Sequence, residues 1–96
     1  MVRDDILENL RQHVTVIKTH GVARLALFGS CVRGEDRPDS DVDILVEFND
    51  TVSIFKFLEV KEYLEEILGR SVDLVMQRAL KPQLRERILA EAISAI

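Results

Sequence analysis

This chain of 96 residues has a single cysteine, Cys31, and no surplus of positive charge. One thiol cannot close an intramolecular disulfide, and it rules out a thiolate metal cage. With 13 Lys and Arg against 17 Asp and Glu the net charge is −4, whereas a nucleic-acid binder would show a basic patch or stripe. No apolar run approaches the ~20 residues of a membrane span. The first residues, Met1-Val2-Arg3-Asp4-Asp5, carry acids and no apolar stretch, so no signal peptide is expected and the cytoplasm is the expected location. Repeats, low-complexity tracts and linkers are also missing. What is there, 47% apolar and 31% charged residues, is ordinary for a globular protein. One domain over residues 1–96 is expected, burying roughly 60–65% of its unfolded surface.

The chain reads as alternating helices and strands. Ile6, Leu7, Leu10, Val14 and Ile17 recur at helical spacing from Asp4 to about Lys18, and Gly21 breaks the pattern. Val22 to Phe28 is a short apolar run that fits a buried strand. Glu35 to Ser40, with Pro38, is a solvated loop. Val42 to Phe48 alternates, with Val42, Ile44, Val46 and Phe48 on one face. Ser53 can cap a helix ending at Leu68 before Gly69, its apolar side made of Ile54, Phe57, Leu58, Leu64, Ile67 and Leu68. Ser71 to Met76 is a third strand. Pro82 suits the first turn of a last helix, 82–96, with Leu84, Ile88, Leu89 and Ala92 as its buried stripe. The fold class is α/β, a small mixed three- to four-stranded sheet with helices packed on it.

Three short stretches carry the chemistry. Gly29 follows the first strand directly, and glycine lets backbone approach a ligand closely. If Cys31 to Arg33 starts a helical turn, its free N–H groups favour a phosphate, with a hydroxyl from Ser30 and a charge from Arg33. Alone, a Gly-Ser pair is equally a turn that ends a strand. Asp41 and Asp43 fall two apart on a strand, which points both carboxylates the same way, roughly 6–7 Å apart. Like charges so placed call for a cation or for solvent. Asp73 stands in the otherwise apolar Val72-Asp73-Leu74-Val75, and a buried carboxylate there needs a partner. Either the cation site of Asp41 and Asp43 or an ion pair to Arg24 or Arg70 would serve. Three carboxylates could hold two Mg²⁺ about 3.5–4 Å apart for in-line displacement at phosphorus.

Taken jointly, Gly29-Ser30-x-x-Arg33-Gly34-Glu35, Ser40-Asp41-x-Asp43-Ile44-Leu45-Val46 and Val72-Asp73-Leu74-Val75 resemble the minimal nucleotidyltransferases of the DNA-polymerase-β-like superfamily. The resemblance spans about Val22 to Met76, with a small departure at Val32, where relatives often carry Ala. It implies a polymerase-β palm-like fold and ATP-dependent nucleotidyl transfer with two Mg²⁺. Gly29, Ser30 and Arg33 would bind the nucleotide. Asp41 and Asp43 would ligate both ions, and Asp73 would ligate the catalytic ion and help deprotonate the attacking hydroxyl. Many relatives are antitoxins that silence a HEPN-domain ribonuclease toxin by transferring AMP to one of its tyrosines. A HEPN-domain toxin is therefore the expected partner and ATP the expected substrate. The rival readings are a binding-only antitoxin and a subunit of an aminoglycoside-type nucleotidyltransferase.

Other residues read more plainly. His13 and His20 are expected at the surface, Cys31 as a packed small residue, and Tyr63 at the core edge. Glu35, Asp36 and Asp39 belong to the solvated loop, although Glu35 could orient Arg33. Glu47 lies too far along its strand to reach a metal, and Glu59, Glu62, Glu65 and Glu66 form a wet helix face. A chain this short leaves no room for an added substrate domain, so the acceptor is expected on a partner protein. That partner would dock on the outer face of helix 54–68 or of helix 82–96. The latter carries Lys81, Arg85 and Arg87 against Glu86 and Glu91.

Overall fold

The three apolar runs join a fourth, shorter segment in one mixed sheet. The structure, a computed structural model, describes residues 3–35, 37 and 40–96. Met1 and Val2, and the loop residues Asp36, Pro38 and Asp39, lie outside the described residues. The order is α1 (Arg3–Gln12), α2 (Val14–Thr19), β1 (Val22–Phe28), α3 (Ser30–Arg33), β2 (Val42–Phe48), α4 (Ile54–Leu68) and β3 (Val72–Met76). A short turn of 3₁₀ helix, α5 (Pro82–Glu91) and β4 (Ile93–Ser94) complete it. Spatially the strands run β3-β2-β1-β4. β1 is antiparallel to both neighbours, whereas β2 and β3 are parallel and joined through α4, the crossover that parallel strands require.

Strand alternation divides the sheet into two faces. Leu25, Leu27, Val42, Ile44, Val46, Val72 and Leu74 face Ile6, Leu10, Ile17, Val60, Leu64 and Leu68 and form the core. The opposite face carries Phe28, Asp43 and Asp73, aligned across three strands by the pairs Phe28↔Asp43 and Asp43↔Asp73. Leu45 shares that face and is buried there.

Ser53 and Gly69 bound α4 as the sequence implies. The Ser53 hydroxyl accepts the Lys56 N–H at 3.2 Å, and Gly69 adopts φ +67°. Beyond the helix, Glu65 Oε2 accepts the Val72 N–H at 2.9 Å. That bond lowers the Glu65 pKa, more than burial raises it.

Several expectations are corrected. The first helix is two, because His13 Nδ1 bonds to the Asn9 carbonyl at 2.8 Å. That is the oxygen the His13 N–H would use in a continuous helix, and the N–H turns to Leu10 O instead. His13 and His20 are not free surface residues, since both rings lean on half-buried Tyr63, with centroids 6.4 and 5.5 Å away. On α4 the buried stripe is Val60, Leu64 and Leu68, whereas Ile54 and Leu58 are exposed. Leu58 lies round the helix from that stripe, and Ile54 is in the first turn, beyond the sheet's cover.

α5 departs most. It has no buried residue, and Leu84 and Leu89 are 45% and 40% exposed. It ends at Glu91 rather than running to residue 96. Ala92 turns to φ −64°, ψ 140°, and the chain becomes β4, where the Ala95 N–H donates to Leu25 O at 2.8 Å.

Candidate active site

Six expected site residues gather at one end of the sheet, where β1 ends and β2 and β3 begin. Gly29 is buried, with φ +75°, and a β-carbon on it would land on the Asp43 carboxylate. Only glycine allows that approach. Its carbonyl accepts the N–H groups of Val32 and Arg33 at 3.1 and 3.2 Å, which starts α3, and Gly34 ends it in the left-handed region. Ser30 opens that turn, half-buried. Cys31 is buried beneath it, its thiol on Phe28 O at 3.7 Å, the packed small residue expected.

Asp43 lies directly across the parallel pair from Asp73. Burial, first, then the charges of Asp73 and Asp41 and hydrogen bonding toward the Asp73 carboxyl when protonated, push the Asp43 pKa up to about 6; Arg33 works against them. Asp41 is exposed and sits one residue before β2 begins. Asp73 was expected to be buried and is exposed, because β3 is an edge strand and its outer side is open. Among the described residues it makes no ion pair with Arg24 or Arg70. Arg70 instead binds the segment before Asp41, donating to the carbonyls of Arg37 and Ser40 at 2.8 and 2.7 Å.

Arg33 is clamped by two carboxylates. Its Nη1 donates to both Glu91 oxygens, at 3.1 and 3.3 Å, and its Nε to Glu35 at 3.4 Å. The Glu91 bond, chiefly, raises the guanidinium further above its already high pKa. Glu35 thus orients Arg33, as the sequence suggested. Glu91 was missed. It also accepts the Gly29 N–H at 3.0 Å, yet in sequence it is one more acid on a charged helix. The Arg70 clamp was missed for the same reason, being a contact across 30 residues.

The donors around Asp43 are carboxylate oxygens, the set that suits hard divalent cations. These residues fit a Mg²⁺-type ion. The fit is an open one, since among the described residues no three acidic, imidazole or thiol side chains are already gathered as a metal cage. A cavity of about 510 Å³ lies elsewhere, at the far ends of β2 and β3, lined by Glu47, Asn49, Asp50, Met76, Arg78 and Arg85. It touches none of the six residues. Glu47, as expected, is far from the carboxylates.

Comparison with known proteins gives a consistent picture. Residues 6–95 match the family described as "Nucleotidyltransferase domain". The chain is similar to the protein adenylyltransferase MntA of Thermococcus cleftensis, 51% identical over 73 residues, 76% of this chain and 74% of that protein. Among solved structures it is similar to a candidate minimal nucleotidyltransferase, with TM-score 0.76 and 43% identity over 91% of this chain and 93% of that one. Its fold also matches a chain of a complex described as a tri-AMPylated Shewanella oneidensis HEPN toxin with an MNT antitoxin. There the TM-score is 0.68 and the identity 22%, over 95% of this chain and 71% of that one.

Proposed function

From the premise that this chain belongs to the nucleotidyltransferase domain family, we propose that it is an antitoxin that transfers AMP from Mg·ATP to a hydroxyl, a tyrosine, of a HEPN ribonuclease toxin. The observation that carries the reading is the convergence of Gly29, Asp43 and Asp73. A turn that only glycine can make rests on a carboxylate whose partner carboxylate lies one strand away. The chemical class of the acceptor rests on the similarity to MntA of T. cleftensis, and the HEPN partner on the S. oneidensis complex.

In this reading the Gly29 turn brings backbone close to the triphosphate, the Ser30 hydroxyl donates to a phosphate oxygen, and Arg33 balances its charge. Asp41, Asp43 and Asp73 would hold two Mg²⁺, which when bound neutralise the phosphates and polarise the α-phosphorus. Asp73, exposed at the sheet edge, is open to an acceptor brought by another protein and takes its proton. The acceptor oxygen then bonds to the α-phosphorus as the bond to pyrophosphate breaks, and pyrophosphate leaves. α5 supports a docked partner better than a buried helix would, for Leu84 and Leu89 are exposed beside Arg85 and Arg87.

Intact-mass measurement of a HEPN toxin co-expressed with this protein tests the proposal. Wild type should add one or more AMP masses, and an Asp41→Asn/Asp43→Asn variant none. An unmodified toxin that both forms neutralise equally would instead make the protein a binding-only antitoxin.

A further inference from the structure

We propose that Glu91 is a positioning residue for nucleotide binding: its carboxylate fixes the Gly29 turn and the Arg33 guanidinium together in the arrangement that receives phosphate. This rests on the functional reading above and adds a residue to it from the far end of the chain.

Three observations carry it. First, one carboxylate spans both elements, taking the Gly29 N–H at 3.0 Å on Oε1 and Arg33 Nη1 at 3.1 and 3.3 Å on its two oxygens. No other described side chain links the turn to the cation that way. Second, its place is set by the sheet. β1 and β4 are antiparallel, with Leu27 opposite Ile93. Gly29 lies two residues after Leu27 and Glu91 two before Ile93, so this pairing brings the end of α5 beside the Gly29 turn. The backbone behind the carboxylate is tied down by the bonds of Ala95 and Ile96 to Leu25 O and by Arg11 on the carbonyls of Ser94 and Ala95. Third, Glu35 takes Arg33 Nε from the other side at 3.4 Å, so the guanidinium is bracketed by two carboxylates and stays beside the Gly29 turn.

The test uses the full chain with Glu91→Ala and Glu91→Gln, the latter keeping an oxygen for the Gly29 N–H while losing the charge that holds Arg33. Without nucleotide or metal, the NMR signals of the Gly29 amide and Arg33 Nε–H should both shift and exchange faster in Glu91→Ala, whereas in Glu91→Gln only Arg33 should loosen. With Mg·ATP, KM should rise about 10- to 100-fold in Glu91→Ala, less in Glu91→Gln, with kcat changed far less. Adding Glu91→Ala to Arg33→Ala should cost little more than Arg33→Ala alone, because the two act as a unit. Tighter ATP binding by Glu91→Gln would overturn the proposal, making the carboxylate a competitor for the phosphate seat. So would unchanged KM in folded Glu91→Ala. A wild type that binds no Mg·ATP overturns the functional reading and this role with it, whereas a normal wild type with unaffected variants overturns only the role of Glu91.

Discussion

Replacing Asp43 by Asn should make the metal-free protein more stable at neutral pH and no more stable in acid. The folded state pushes the Asp43 pKa from the ordinary 3.8 up to about 6, through burial first and then its acidic neighbours. A raised folded value means that the native state prefers the protonated form. This contribution is fully present below about 3.8, is lost as the pH climbs toward 6, and is gone above it. At 1.36 kcal/mol per tenfold change in proton affinity the displacement corresponds to about 3 kcal/mol. Solvent reaches part of the carboxyl, and screening brings the figure to roughly 1–2 kcal/mol. Asparagine mimics the protonated acid, keeps the shape and can donate to Asp73. Denaturation in EDTA at about pH 7.5 should therefore show the variant ahead by roughly 1–2 kcal/mol, or about 5–15 °C in midpoint for a domain this size. At about pH 4 the gap should close. A variant less stable than wild type at neutral pH, or a gap that ignores pH, would refute the account of Asp43 as a site held under repulsion.

Further outcomes follow from the same geometry. ATP binding should need Mg²⁺ or Mn²⁺, because bare carboxylates repel a triphosphate; calorimetry with equal affinity in EDTA would count against the site. Ser30→Ala should slow transfer by ~1–3 kcal/mol of barrier, as one neutral donor to a transferring group is worth, with steady-state kinetics as the measure and an unchanged rate as the contrary result. Arg85→Glu/Arg87→Glu should fold normally, bind Mg·ATP and modify the toxin poorly; undiminished pull-down and modification would remove α5 from the interface and leave the α4 face.

The gathering of the candidate residues at one end of the sheet was legible because its signals are local. Gly29-Ser30, Asp41-x-Asp43 and Asp73 each lie at the end of an apolar run, and alternation alone puts Asp43 and Asp73 on one face. The caps of α4 were legible for the same reason, since Ser53 and Gly69 act on their own turn. What escaped depends on other elements. Leu84, Ile88, Leu89 and Ala92 recur at helical spacing, yet Leu84 and Leu89 stay exposed, and periodicity records a stripe without saying what lies opposite. β4 has two residues, too few for any pattern, and exists because β1 offered a free edge. Asp73 is exposed because β3 ends the sheet, and strand order is not written in a strand. Glu91 meets Arg33 across 58 positions, a distance at which sequence spacing says nothing.

The pairing of β1 with so brief a strand has a kinetic side. Ordered segments open and reclose locally, the least secured most often. β4 is held by Ala26, Leu27 and Leu25 alone among the strands, and joins partners nearly seventy residues upstream, so its closure carries a long-loop entropy cost. Each time it lifts, the carboxylate just ahead of it withdraws from Gly29. The Gly29 turn, which the proposed function assigns to phosphate, therefore inherits the opening rhythm of the shortest strand in the sheet, and a nucleotide that bound there and slowed that rhythm would be felt at the last residues of the chain.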